Sequence, residues 1–242
     1  IEGLNNKALG LMQGYFTVIK AETGIGKTEV MRLLEYGMLK RNVRIASWHL
    51  EETKVRSLLG LVSYYENDNL TRKDLIEQKQ ADGRVKECIK TIAKSENYYQ
   101  FYMPDGTSMD DFIDEIRYLR EGCGCDYIFF EPIQDVVAGV SEESKESVLA
   151  DLSVRLSKLA AELNVGIVSI AHTNENGDTK YCKMIAQRAA VVVSLSRDQE
   201  ADSPEERNTT TLKLEKNRPT SELGHAGKVL FDTDKFTLKE IL

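Results

Sequence analysis

Short apolar runs alternate along the chain with longer stretches in which apolar residues recur every three or four positions. The runs at 15–20, 43–49, 99–103, 126–131, 165–171 and 190–195 have the length and the β-branched and aromatic content of buried strands. The stretches at 28–40, 52–63, 108–121 and 146–163 carry helical spacing. In the last of these, Leu149, Leu152, Leu156, Leu159 and Leu163 form a stripe. It predicts a helix facing the core and is too short for a coiled coil. Strands that alternate with helices predict an α/β fold with a mostly parallel sheet covered on both faces. Residues 66–97 are charge-rich, and Leu70, Leu75, Ile76, Val85, Ile89 and Ile92 are spaced for one or two surface helices. The character then changes. Thr209 to Glu215, Lys228 to Phe231 and Lys235 to Leu238 read as antiparallel strands at the end of the sheet. Asp198 to Arg207 is polar, contains Pro204 and reads as a solvated loop.

The 242 residues suffice for one large α/β domain with a well-filled core, and 1–242 reads as a single unit. The composition, 41% hydrophobic and 29% charged, is that of an ordinary globular protein. No apolar run approaches the ~20 residues of a membrane helix. The opening Ile1-Glu2-Gly3-Leu4 lacks both a methionine and a signal-peptide pattern, so the chain reads as a segment of a longer polypeptide. Cys88, Cys123, Cys125 and Cys182 show no disulfide framework, and Cys123-Gly124-Cys125 is more tightly spaced than metal ligands usually are. Such thiols suit a reducing cytoplasm. The net charge of −7 argues against a broad basic surface for nucleic acid, but not against a local basic strip in a groove or channel.

Candidate chemistry begins at Ala21-Glu22-Thr23-Gly24-Ile25-Gly26-Lys27-Thr28. This is the phosphate-binding P-loop pattern, and its flanks are a predicted strand before and a predicted helix after, as that loop requires. Backbone N–H groups of Gly24, Ile25 and Gly26 and the helix N-terminus would face phosphates. Lys27 would reach the β- and γ-phosphates, and the Thr28 hydroxyl would face Mg²⁺. The pattern implies a nucleoside triphosphate.

Later features add to it. The strand Arg44 to Leu50 ends in Glu51-Glu52, and ligands in such sheets sit beyond the carboxyl ends of strands. Glu51 is the nearer candidate for a general base and Glu52 the alternate. An acidic helix N-terminus would explain both residues equally well. The apolar strand Asp126 to Phe130 is capped by Glu131, a position from which an acid can hold the Mg²⁺ shell, here through a bound water. The strand Val165 to Ala171 ends in His172, which could contact a γ-phosphate and register its loss. Lys216-Asn217-Arg218 ends a predicted strand; it is either solvated surface or an arginine finger for a neighbouring subunit.

Taken together, these residues resemble the helicase domain of hexameric replicative DNA helicases, a family that includes DnaB, mitochondrial Twinkle and the phage primase–helicases. The phage branch is the most similar, and the resemblance covers essentially the whole chain. Gly3-Leu4-Asn5-Asn6-Lys7 resembles the opening of the core domain. Glu51 falls on the catalytic glutamate, Glu131 on the Walker B acid and His172 on the γ-phosphate-sensing histidine. Gln187 falls on a glutamine that links nucleotide state to the DNA loops. Arg197 and Phe231 match an arginine and an aromatic that sandwich the base. Lys216 and Arg218 match the pair offered in trans to the neighbour's nucleotide. Two departures stand out. Glu131 replaces the family aspartate and is followed by Pro132, and the segment from His172 to Gln187 is shorter than in the phage branch. Lys180, Lys183 and Arg188 are the basic residues left there for DNA.

The resemblance implies a RecA-like fold, Mg²⁺-dependent hydrolysis of ATP or another NTP or dNTP, and a homo-hexameric ring. It also implies single-stranded DNA in the central channel, and it leaves open whether a primase domain is fused upstream. It suggests a phage protein working in the cytoplasm of a bacterial host. In the family a helix before the core packs on the adjacent subunit, and this chain begins after it, so weak assembly is expected of these residues alone. Two other readings are a RecA-like recombination ATPase and a nucleotide-gated assembly module with weak hydrolysis.

Overall fold

The computed structural model describes residues 1–72, 77, 83–104, 107–173 and 180–241. One nine-stranded sheet organises them, in the order β3-β2-β4-β5-β1-β6-β7-β8-β9. Its strands are β1 (Phe16–Ala21), β2 (Ile45–His49), β3 (Tyr98–Gln100), β4 (Tyr127–Glu131), β5 (Gly166–His172), β6 (Val191–Ser196), β7 (Thr209–Asn217), β8 (Gly224–Asp232) and β9 (Thr237–Ile241). From β3 across to β6 neighbouring strands are parallel; from β6 to β9 they are antiparallel.

The helices are α1 (Glu2–Ala8), α2 (Lys27–Leu39), α3 (Lys54–Glu66), α4 (Arg84–Lys94), α5 (Met109–Glu121), α6 (Glu142–Leu163), α7 (Lys180–Arg188) and α8 (Pro204–Asn208). A single 3-10 turn follows β4 at Ile133–Val137. None of these helices is long and apolar enough to cross a membrane.

The apolar runs form buried strands because both faces of the sheet are covered. Within β4, Ile128 and Phe130 enter one core with Phe112, Ile116 and Leu119 of α5 and the Leu149, Leu152, Leu156 and Leu159 stripe of α6. Phe129 faces the other core with Val30 and Met31 of α2 and Leu61 of α3. The alternation is the strand's two-residue period read against two hydrophobic layers. Beyond β6 the pattern switches. Thr210, Leu212 and Leu214 of β7 are buried, whereas Lys213 and Glu215 are exposed, so this part of the sheet is covered on one face.

Two readings of the sequence need correction. The segment 198–207 is not all loop. Ser203 accepts a hydrogen bond from the Glu206 N–H at 3.1 Å, Pro204 starts the helix, and α8 follows. A serine cap with proline in the first turn is a helix-start signal that the polar composition concealed. The last strand begins at Thr237 rather than Lys235, because Asp232 to Phe236 forms a turn in which Phe236 is left-handed (φ 56°). Of the apolar residues in 66–97, Leu70, Val85 and Ile92 are buried together with Val62 of α3. Leu75 and Ile76 lie outside the described residues. Helix α1 packs its Gly3 on β8, where a β-carbon would stand 2.6 Å from the Ala226 carbonyl carbon.

Candidate active site

The parallel strands deliver Ala21, His49, Glu131, His172 and Ser196 to one edge of the sheet, the edge at which ligands of open α/β sheets are held. Between β1 and α2 the loop turns on Gly24 and Gly26, both left-handed (φ 85° and 89°). At Gly24 the nearest atom to a built β-carbon is 3.7 Å away, so the backbone angle and not the space requires glycine there. The Ile25 side chain is buried in the core and anchors the loop. Lys27 folds back and donates to the carbonyls of Ala21 (3.3 Å) and Glu22 (2.8 Å). Burial lowers its pKa, and Glu51, Glu131 and Glu22 pull the other way.

Thr28 donates from its hydroxyl to Glu131 at 3.1 Å, which joins the helix start to the end of β4. The second Glu131 oxygen lies 2.5 Å from His49 Nδ1. His49 Nε2 is 3.2 Å from Glu35, and the Ser47 hydroxyl donates to the same Glu35 oxygen at 2.5 Å. Burial disfavours the charged imidazole, but Glu35 and then Glu131 outweigh it and hold His49 up at about 10. A doubly protonated ring donates to both carboxylates, the arrangement their burial demands.

The two adjacent glutamates separate. Glu51 is half exposed and lies 3.3 Å from His172 Nε2. Glu52 turns inward to the Arg32 guanidinium, which also pairs with Glu29. Burial raises Glu29 to about 7 despite Arg32, whereas Glu52, also desolvated, is drawn below the ordinary value by Arg32. Gln134, in the turn after β4, exchanges hydrogen bonds with the His172 backbone at 3.2 and 3.4 Å and so fixes the end of β5.

Among the described residues no three His, Cys, Asp or Glu side chains converge as a metal cage. One hydroxyl and one carboxylate converge at the start of a helix instead. That donor set fits Mg²⁺, which takes few protein ligands and completes its shell with water and phosphate oxygens.

The remaining sequence candidates fall into two groups. Arg197 follows β6 and lies near the P-loop, 3.9 Å from a β-carbon built on Gly26. It donates to the Arg207 carbonyl and, at 2.7 Å, to Asn208. A cavity of about 270 Å³ opens between Gly24, Arg197, Gln199, Arg207 and Asn208. Phe231, the last but one residue of β8, lies at this same edge, its ring edge-on to Phe236 at 5.3 Å. Lys216 and Arg218 belong to the opposite edge. Arg218 N–H bonds Ala190, whose own N–H bonds Phe16, so Arg218 is level with the beginning of β1. The Lys216 ammonium donates to Ala186 (2.9 Å) and Gln187 (2.7 Å) at the end of α7, and Arg218 reaches Gln187 at 3.4 Å. Burial, then Arg218 and Arg188, lower the pKa of Lys216. Lys183 and Arg188 are exposed on α7; the Lys180 side chain lies outside the described set.

Sequence reasoning missed His49, Glu35, Arg32 and Gln134. One signal was available. Ser47 and His49 are two polar residues on the same face of a strand whose other residues are apolar, a break in pattern that marks a buried polar network.

The sheet order, the glycine loop and the acidic strand ends define the class, a RecA-like P-loop NTPase core. Comparison with known proteins narrows it. The model of the DnaB-like helicase C terminal domain matches residues 1–237, and the chain belongs to that family. A DNA helicase/primase of Enterobacteria phage T3 is 25% identical over 250 residues, covering 96% of this chain and 44% of that protein. A probable plasmid replicative DNA helicase of Chlamydia psittaci is 23% identical over 251 residues, covering 98% of this chain and 54% of the other. The chain thus spans about half the length of these curated relatives. The solved structure of a DnaB-like replicative helicase and its interactions with primase superposes with a TM-score of 0.83 at 18% identity, over all of this chain and 62% of that one.

Proposed function

We propose that this chain is the motor domain of a ring-forming replicative DNA helicase, which hydrolyses ATP or another nucleoside triphosphate at the glycine-loop edge and moves along single-stranded DNA. The observation that carries this is the division of the candidate residues between the two edges of the sheet. Lys27, Thr28, Glu51, Glu131 and His172 converge at one; Lys216 and Arg218 lie at the other. From the level of Phe16 to Ala21 is five residues of strand, roughly 16 Å, so Arg218 is out of reach of its own P-loop and suited to a neighbour's.

In this reading Lys27 exchanges its carbonyl partners for the terminal phosphates. Thr28 and, through water, Glu131 would hold Mg²⁺, whose chemistry there is to neutralise charge on those phosphates. Glu51 takes the proton of the attacking water, being half exposed while Glu52 is consumed by Arg32. His172, beside Glu51, registers the γ-phosphate. Arg197 and Phe231 flank the base at the same edge. Lys216 and Arg218 grip the end of α7, which carries Gln187, so contact with a neighbour's nucleotide would reach Lys180, Lys183 and Arg188 and the DNA they bind. In this reading the chain is a single motor domain within a longer polypeptide, assembled as a homo-hexamer, linked to primase and active in the cytoplasm of a bacterial host; what supports it is membership of the DnaB-like helicase family and similarity to a phage helicase/primase.

The test is single-stranded-DNA-stimulated NTP hydrolysis with Mg²⁺, on a polypeptide extended upstream of Ile1, against Lys27→Ala and Arg218→Ala. Stimulation by DNA that both changes abolish, with Arg218→Ala still binding nucleotide, is expected. Nucleotide binding without DNA-stimulated turnover would replace the motor by a nucleotide-gated assembly module.

A further inference from the structure

Helix α2 presents Thr28 and Glu35 seven residues apart on one face. Between them runs a closed path of polar contacts: Thr28 to Glu131 at 3.1 Å, Glu131 to His49 at 2.5 Å, His49 to Glu35 at 3.2 Å. Glu131 and His49 are direct partners in the β2–β4 register, so their side chains leave the sheet together. Glu35, Ser47, His49 and Glu131 are all buried. Glutamate at the Walker B position has one more rotatable bond than the aspartate its family resemblance implies. A carboxylate so placed reaches further but points less definitely. Here both of its oxygens are fixed, one by Thr28 and the other by His49, and His49 is itself fixed from behind.

We propose that the Glu35–His49 pair is a positioning device that aims the longer Glu131 carboxylate at Thr28, and so makes the cation site competent. The inference rests on the nucleotide-binding part of the function proposed above. His49 is buried behind Glu131 and acts through it, as outer partners of metal-holding carboxylates do. The device is needed only because residue 131 is glutamate, so its value depends on that residue.

The test is a coupling cycle on the purified 242-residue chain. Binding of a fluorescent nucleoside triphosphate is titrated against Mg²⁺, and folding of each variant is checked by circular dichroism. Four proteins are compared: the parent, E35Q/H49M, E131D and E35Q/H49M/E131D. In E35Q/H49M the Mg²⁺ needed for half-maximal effect should rise about tenfold, with nucleotide affinity in the absence of Mg²⁺ unchanged. Adding E131D to the pair of changes should recover most of that loss. An unchanged Mg²⁺ requirement in folded E35Q/H49M overturns the proposal. So does an equal loss in the glutamate and aspartate backgrounds, which would make the pair merely structural. If E35Q/H49M does not fold, H49Q, which keeps most of the volume, is read by the same criteria. A parent chain that binds no nucleotide would remove the functional reading itself and this inference with it.

Discussion

Glu51 and Glu52 are neighbours in sequence with opposite fates. Glu52 pairs with Arg32, deep between α2 and α3, while Glu51 stands in solvent beside His172. Glu51→Gln should therefore leave folding and nucleotide binding intact and reduce turnover by about 10²- to 10⁴-fold, the range for a lost general base. Glu52→Gln should do the reverse, lowering the unfolding midpoint with a much smaller effect on turnover per folded molecule. Thermal melts and single-turnover hydrolysis on both variants separate the two. Cys125 permits a second prediction. It is fully buried, and desolvation first, then Cys123, pushes its thiol up to about 12 from an ordinary 9. The folded state thus keeps a proton that the unfolded chain gives up. Stability from this group is intact below pH 9 and is lost as pH rises through 12. Cys125→Ala should flatten the alkaline fall of the melting temperature, although the cavity lowers it at neutral pH. At this scale the sequence exposes what is local. The P-loop declares itself because strand, glycines, lysine and helix are contiguous. His49 does not, because its partner Glu131 is 82 residues away and only the sheet brings them together.

Elements were legible wherever one period dominated. The stripe of α6 and the apolar runs of β1, β4 and β5 follow from spacing, because two hydrophobic layers reward regular patterns. Helix α8 was hidden in a polar segment because it is short and its start depends on one capping serine. Strand order was not legible at all, since alternation says that strands are parallel neighbours of helices and not which strand lies beside which. Helices α2 and α3 show how packing chooses a residue that propensity would reject. Gly60 lies inside α3, and a β-carbon there would stand 2.5 Å from Arg32 Nε. The guanidinium cannot withdraw, because Glu29 and Glu52 hold it. Gly60→Ala should therefore destabilise by about 1–3 kcal/mol despite alanine's better helix propensity. Equilibrium denaturation measures it, and a stabilised Gly60→Ala would show that Arg32 is free to move.

For the whole molecule, the proposed function asks an acidic chain to handle DNA, which requires a sorted surface. The net charge is −7, yet Lys183, Arg188, Lys216 and Arg218 gather around α7, at and beyond the end of β7. The same sorting puts Arg218 and the P-loop at opposite edges of one sheet, the length of β1 apart. The proposed action across a subunit boundary rests on that separation, and mixing tests it directly. Lys27→Ala subunits have a disabled loop but an intact Arg218; Arg218→Ala subunits have the reverse. Each alone should be nearly inactive. Mixed under assembly conditions, a Lys27→Ala subunit completes the site of an Arg218→Ala neighbour, and hydrolysis should return to a substantial fraction of the parent rate. The regained activity should fall on dilution, as assembly does. If Arg218 worked within its own chain, no mixture could hydrolyse faster than the sum of its parts, because every subunit would carry one defect in its own site. Activity of the mixture thus reports which edge of which subunit builds the site, independently of how many subunits close the ring.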